Sequence, residues 1–249
     1  MTTPARARSI ATPLAAVAAL AAAAVVGCAS TQATVGEQYD GRLPRPERIV
    51  VYRFATSPDE VTLDRSPTVV AAWKMQGLSA SAERREVARE VADAVADNLV
   101  SKLRALGFQT ELGEGPLPPD AGRVLVIGGQ FLSINEGVRA ERVVIGLGAG
   151  RSDVVTAVQV FEHMGEARRV VDQFEVDAKS GRKPGAAETM GVGAAAGTVA
   201  TAAAVTAAAA IGSEAFGANV EADAKRTAEK IAAVLHDFFV RQGWIPPAS

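Results

Sequence analysis

Residues 145 to 154 read IGLGAGRSDV, with glycines at 146, 148 and 150. Bare backbone after an apolar stretch is what a phosphate-binding turn uses, because the amides at a helix amino terminus can then close on phosphate oxygens. A dinucleotide turn needs G-x-G-x-x-G between a strand and a helix. Here the spacing is G-x-G-x-G, and DVVTAVQVF, a strand-like run, follows. A P-loop would add Lys and then Ser or Thr, for which Arg151-Ser152 is a loose substitute. In extended backbone Gly146, Gly148 and Gly150 share one bare face. The run is therefore expected to be structural, a place for close packing, a bulge or a tight turn. Apolar residues occupy odd positions at 143, 145 and 147 but even positions at 154, 158 and 160, so a register reset is expected near Gly150.

Other catalytic groups are sparse. His163 falls near a strand end and His236 on the last helix, neither with a Ser, Cys or Asp partner at motif spacing. Acidic residues are scattered, without a paired-carboxylate or metal motif, and no cofactor is expected. The net charge of −2 provides no electrostatic footprint for nucleic acid, which would need clustered Lys and Arg. One cysteine among 249 residues rules out an intramolecular disulfide and any cysteine-rich metal site.

The role of that cysteine follows from its position. Arg6 and Arg8 precede an uncharged apolar run from Ile10 to Val26, and small residues follow, the three-part form of a secretory signal. Val25, Val26, Gly27 and Cys28 resemble the lipobox of bacterial lipoproteins. The resemblance implies a signal peptide over 1–27, cleavage before Cys28, a diacylglycerol thioether on its sulfur and an acyl group such as palmitate on its amine. Two or more chains hold a membrane firmly where one does so marginally. A retained transmembrane helix is the alternative, but the run is at the short end of the roughly 17 to 25 residues needed and is mostly Ala. Ala29, rather than Asp, follows the cysteine, which by the same resemblance favours the outer membrane and its periplasmic face. Residues 28–47 are polar, with Gly36, Gly41, Pro44 and Pro46, and read as the lipidated Cys and a flexible tether reaching about 25 Å.

Residues 48–249 are expected to form one α+β domain: a mainly antiparallel sheet with two long amphipathic helices packed on one face, plus an Ala/Gly-rich helical tract. RIVVYRF at 48 to 54 reads as the first strand. The long connection over 55–80 contains PTVVAAWKMQG, a short helix expected to bury Trp73. Ser81 to Leu106 is the clearest helix, with Val87, Val91, Val95, Leu99, Leu103 and Leu106 on one face, Ser81 as a cap and Gly107 as its stop. Glu83, Arg84, Glu86, Arg89 and Glu90 are expected to be solvated. FQTEL and the runs 123–134, 142–147, 153–164 and 168–178 read as strands, with short connections favouring antiparallel pairing. Glu214 to Gln242 is the last helix, with Val220, Ile231, Val234, Leu235 and Phe238 on one face and Gly243 at its end.

Arg142 with IGLGAGRS, preceded by IGGQF and NEG and followed by a VQVF strand, resembles the bacterial lipoprotein domain-of-unknown-function family 4410, from Arg48 to Gly181 and again at GWI over 243–245. That family implies an address and a compact domain but no active site. Residues 190–212 carry no charge and place Gly193, Gly197 and Thr201 at four-residue intervals, a spacing that lets helices approach closely. A helix packed on the sheet, a helix that oligomerises or enters the membrane, and an irregular insertion are the three readings. Together these features suggest a lipid-anchored envelope protein with a binding or assembly role, whose partners are membrane lipid at Cys28 and an envelope protein or further copies of itself. The alternatives are a membrane-inserting oligomer built on the Ala/Gly tract and an enzyme whose site assembles only in three dimensions.

Overall fold

The computed structural model of the chain describes residues 29–138, 150–165, 167–180 and 218–247. The expectations for Val25, Val26, Gly27, Cys28, Gly146, Gly148, the run 142–147 and the tract with Gly193, Gly197 and Thr201 lie outside these residues. The fold is mixed α+β, with a seven-stranded, mostly antiparallel sheet. Its strands are β1 (Ser30–Gln38), β2 (Arg48–Val51), β3 (Val61–Thr62), β4 (Thr110–Leu112), β5 (Arg123–Asn135), β6 (Asp153–Met164) and β7 (Ala167–Lys179). The order across the sheet is β1-β7-β6-β5-β2-β4, with β3 pairing β5 further along. Among the described residues the α-helices are α1 (Pro67–Met75), α2 (Ala80–Ala105) and α3 (Ala218–Gln242).

The long strands β5, β6 and β7 form an antiparallel meander, and β1 extends it antiparallel to β7. The other edge differs from the expectation of antiparallel pairing, because β2 runs parallel to both β4 and β5, and β3 runs parallel to β5. The reason is the connection between β2 and β4. It contains α1 and α2, and α2 alone, at 26 residues and 1.5 Å per residue, returns the chain to the end it left.

α2 forms where its apolar spacing predicts, and Val87, Val91, Val95, Leu99 and Leu103 are buried. Ser79 rather than Ser81 is its amino-terminal cap, accepting a hydrogen bond from the Ala82 amide, and Gly107 ends it at φ 85°. Glu83 is not solvated as expected but buried at 5 % exposure. α3 buries Ala224, Ala228, Ile231, Leu235, Phe238 and Phe239. Both helices share one core cluster with Ile49, Val51, Leu125, Ile127, Val158 and Phe174. Trp73 on α1 joins that cluster, as expected of a core lid.

The stretch read as a flexible tether is the main correction. Ser30–Gln38 is strand β1, hydrogen-bonded along β7 from Ser30 opposite Lys179 to Val35 opposite Phe174. Its side chains are mostly exposed, so the apolar alternation that would have marked a strand is missing. Beyond it the chain is clasped to the end of α3. Gln242 accepts from the Leu43 amide at 2.8 Å and donates to the Gly41 carbonyl at 2.9 Å, and Trp244 Nε1 donates to the Leu43 carbonyl at 3.0 Å. Arg45 stacks over Phe108 at 4.4 Å and donates to the carbonyls of Trp244 and Gly107. The folded unit therefore begins before residue 48.

Gln38 shows what the segment contributes. Its amide nitrogen donates to both carboxylate oxygens of fully buried Asp172, at 3.0 and 3.1 Å, while its oxygen accepts from Arg241. Burial raises the pKa of Asp172, an effect opposed by Gln38 and Arg241. Gln38→Ala should lower the free energy of unfolding in urea by about 1–3 kcal/mol, the cost of stranding a buried acceptor. A free tether would show no change.

Candidate functional site

Two features of the described residues could carry chemistry, and they lie at opposite ends of the long strands. The first is a buried polar cluster where β5, β6 and β7 meet the start of α3. Asn135, Asp153, Lys179 and Ser30 stand in one row across the sheet. Beside them Ser152 and Ser180 are tied reciprocally, the Ser152 amide donating to the Ser180 hydroxyl and the Ser180 amide to the Ser152 carbonyl, each at 3.0 Å. The Ser152 hydroxyl donates to the Asp223 carboxylate on α3, which also accepts from Arg226 one turn later. Ser152 and Asp223 are both fully buried.

A serine hydroxyl on a carboxylate is one half of a nucleophile pair, but here the carboxylate is spent holding α3 to the sheet. His163 lies eleven residues beyond Ser152, about 36 Å away at 3.3 Å per residue, and His236 on α3 sits 3.3 Å from its chain neighbour Asp237. Among the described residues no three His, Cys, Asp or Glu side chains gather as a metal site requires, and no helix is long and apolar enough to cross a membrane. Gly150, the one described member of the glycine run, sits at φ 63° beside Gly137, whose Cβ position is filled by the Gly150 and Arg151 carbonyls. Val138 donates to the Gly150 carbonyl at 3.0 Å. From Val154 onward the even positions Val154, Thr156, Val158 and Val160 are buried.

The second feature is a cavity of about 440 Å³. It lies on the side of the sheet that carries Val50, Val124 and Val126, which form a small cluster separate from the main core. Its floor is Val126 with Gly128 and Gly129, the IGGQF glycines, where β5 has no side chains. The conformations of these two differ in consequence: a Cβ at Gly129 would collide with the Ala157 carbonyl, whereas one at Gly128 would meet only the Tyr52 Cβ at 3.8 Å. One wall is the 115–117 loop, fixed by the Tyr52 hydroxyl donating to the Gly115 carbonyl at 2.6 Å.

The opposite rim is Phe161, His163 and Arg168, with the Arg168 guanidinium 4.6 Å over the Phe161 ring. A bulge in the β6–β7 pairing, after Val160, places these residues. Val171 and Phe174 turn into the main core, while Phe161 joins the small cluster on the cavity's side. Sequence reading missed this cavity. Its signals were the glycine pair inside a strand and the Arg168-Arg169 pair at a hairpin, each too common to point to a site alone.

Burial at the polar cluster has a measurable consequence. Desolvation pushes the Asp223 carboxyl up to about 6, against the lowering effects of Ser152 and Arg226, and nearby Asp153 adds to the rise. A carboxyl whose folded pKa exceeds its unfolded value near 3.9 binds more protons when folded, so stability falls as pH rises from about 4 to about 6. The size is about 3 kcal/mol at 1.36 kcal/mol per unit. Asp223→Asn should remove this slope: measured by urea unfolding from pH 4 to 7, the variant should gain stability relative to wild type by about that amount as pH rises. A constant difference across the range would show that Asp223 is ionised throughout.

The family described as "Domain of unknown function (DUF4410)" matches residues 49–197. No curated protein matches the chain. Among solved structures, PelC from Paraburkholderia phytofirmans, a dodecamer, is similar at 12% identity and a TM-score of 0.32, covering 61% of this chain and 81% of that one. The protein XCC0632 from Xanthomonas campestris, of family DUF330, is similar at 10% identity and a TM-score of 0.34, covering 79% of this chain and 85% of that one. Since the family match takes in more than half of the chain, from β2 through β7, the protein belongs to the DUF4410 family.

Proposed function

We propose that this protein is a lipid-anchored component of the bacterial envelope, acylated on Cys28, with a binding or assembly role rather than a catalytic one. The cavity over β5 is the observation that carries the binding part of this reading. Its walls are largely apolar, and apart from Arg168 its polar side chains are committed to neighbours, Tyr52 to Gly115 and His163 within 3.4 Å of the Pro118 carbonyl. Such a surface holds a ligand or a partner without offering a nucleophile and base to a reaction. In this reading the two long helices cover one face of the sheet and the cavity's face is left for recognition.

The anchoring part is supported by the spacing of Cys28 from the fold. Only Ala29 separates it from β1, and two extended residues span about 7 Å. Acyl chains at Cys28 would hold the edge of the sheet itself close to the leaflet, with the cavity near the far end of β6 turned toward the aqueous side. Ala29 rather than Asp after the cysteine supports an outer-membrane anchor with the domain on the periplasmic side.

Mass spectrometry of the protein from its native host should find a mature chain beginning at Cys28 and carrying diacylglyceryl and acyl groups. The Cys28→Ser variant should lose membrane attachment while the wild type retains envelope partners on affinity capture. An unmodified residue 28 with the leader attached would reject the anchor, and a wild-type capture no different from that of a Gly128→Val variant, which fills the cavity, would reject the binding face.

A further inference from the structure

We infer that the cavity over Val126 and Gly128 binds a small apolar carboxylate, with its anionic group on Arg168 and its flat body lying on β5. This rests on the binding role proposed above and supplies the chemical class of the ligand. The argument has three parts, from shape, charge and solvation.

Shape comes first. Gly128 leaves a gap where other residues of β5 carry a side chain, and at Gly129 the Ala157 carbonyl fills the space a Cβ would need. The hydrogen bond from Tyr52 to Gly115 sets the opposing wall at a fixed distance, so the space is present without a ligand. At about 440 Å³ it falls in the range of roughly 300–1,000 Å³ typical of small-molecule sites. A planar group fits best on bare extended backbone between the rings of Tyr52 and Phe161.

Charge sets the sign of the ligand. None of the residues lining the cavity is acidic, and Arg168 is its permanent cation. The contrast with Arg169 next to it is informative. Arg169 binds Glu162 at 2.5 Å and the Tyr39 hydroxyl at 3.1 Å, whereas Arg168 makes no ion pair among the described residues and only lies over Phe161. Stacking engages the face of a guanidinium and leaves its in-plane N–H donors for a carboxylate, which accepts two of them side by side.

Solvation restricts the rest of the molecule. With Tyr52 and His163 already turned to backbone carbonyls, a body rich in hydroxyl or amide groups would lose water and gain no partner. An apolar body against Leu117, Val126 and Phe161 has no such loss. The combination of a single anionic end and a flat, apolar body describes an aryl or short alkyl carboxylate.

The test uses the mature lipidated chain in nanodiscs, titrated calorimetrically with cinnamate and with cinnamyl alcohol, empty nanodiscs serving as the blank. Cinnamate should bind, and the alcohol should bind roughly tenfold or more weakly, the scale of a charged hydrogen bond. Arg168→Gln should weaken cinnamate by a similar factor and leave the alcohol unchanged. Gly128→Val should abolish both while circular dichroism and the urea midpoint stay close to wild type, since its Cβ meets only ordinary contact. Equal binding of acid and alcohol, an unaffected Arg168→Gln variant, or no binding of cinnamate at millimolar concentration would each overturn the assignment. If cinnamate fails to bind while affinity capture still depends on Gly128, the ligand class is wrong and the binding face stands.

Discussion

Helix α3 buries Ile231, Leu235, Phe238 and Phe239 almost completely, and the contacts at both of its ends are arranged around that burial. Each large apolar side chain contributes roughly 1.5–3 kcal/mol when removed from water, so these four together outweigh the cost of drawing Asp223 inside with them. The aromatic end is the stronger one. Phe108, Phe238, Phe239 and Trp244 meet in tilted and edge-on pairs with centroids 4.6 to 6.4 Å apart. At the other end the helix meets the sheet through Ser152 and Asp223, a polar contact that fixes position more than it adds stability.

The long amphipathic segments were legible because their burial follows a period. Val87, Val91, Val95, Leu99 and Leu103 recur on one face of α2, and the strands β5 to β7 carry β-branched runs that few other structures accept. What escaped has a physical cause in each case. β1 is an edge strand with few buried side chains, so Ser30–Gln38 lacks the alternation that marks a strand and is held by backbone bonds that no side chain records. The parallel pairing of β2 follows from where α2 returns the chain, which is a tertiary fact. Glu83 is interior despite a charged neighbourhood, because the period that places Val87 and Val91 inside also carries position 83 inward.

The candidate site was less legible than the fold. The glycine run at Gly146, Gly148 and Gly150 reads as structural in the sequence, and of the three only Gly150 is among the described residues, at φ 63°. The glycines that shape the cavity, Gly128 and Gly129, sit in the middle of a strand-like run and serve opposite purposes. One makes room for the carbonyl of the neighbouring strand and the other opens a space. Sequence alone does not distinguish the two, since both read as interruptions of β5. Arg168 and Phe161 come together only because a bulge changes the register between β6 and β7 near them.

The clasp at Leu43 joins positions about two hundred residues apart, since its amide and carbonyl are satisfied by Gln242 and Trp244. Until the last turn of α3 has been made and delivered, those two backbone groups have no protein partner. A chain emerging amino terminus first, from a ribosome or a translocation pore, must therefore hold its opening segment in waiting while nearly all of the rest arrives. Completion of the fold is in this sense a check on full length: a product cut short before residue 242 leaves the entrance to the domain unfastened, although every strand of the sheet has been synthesised.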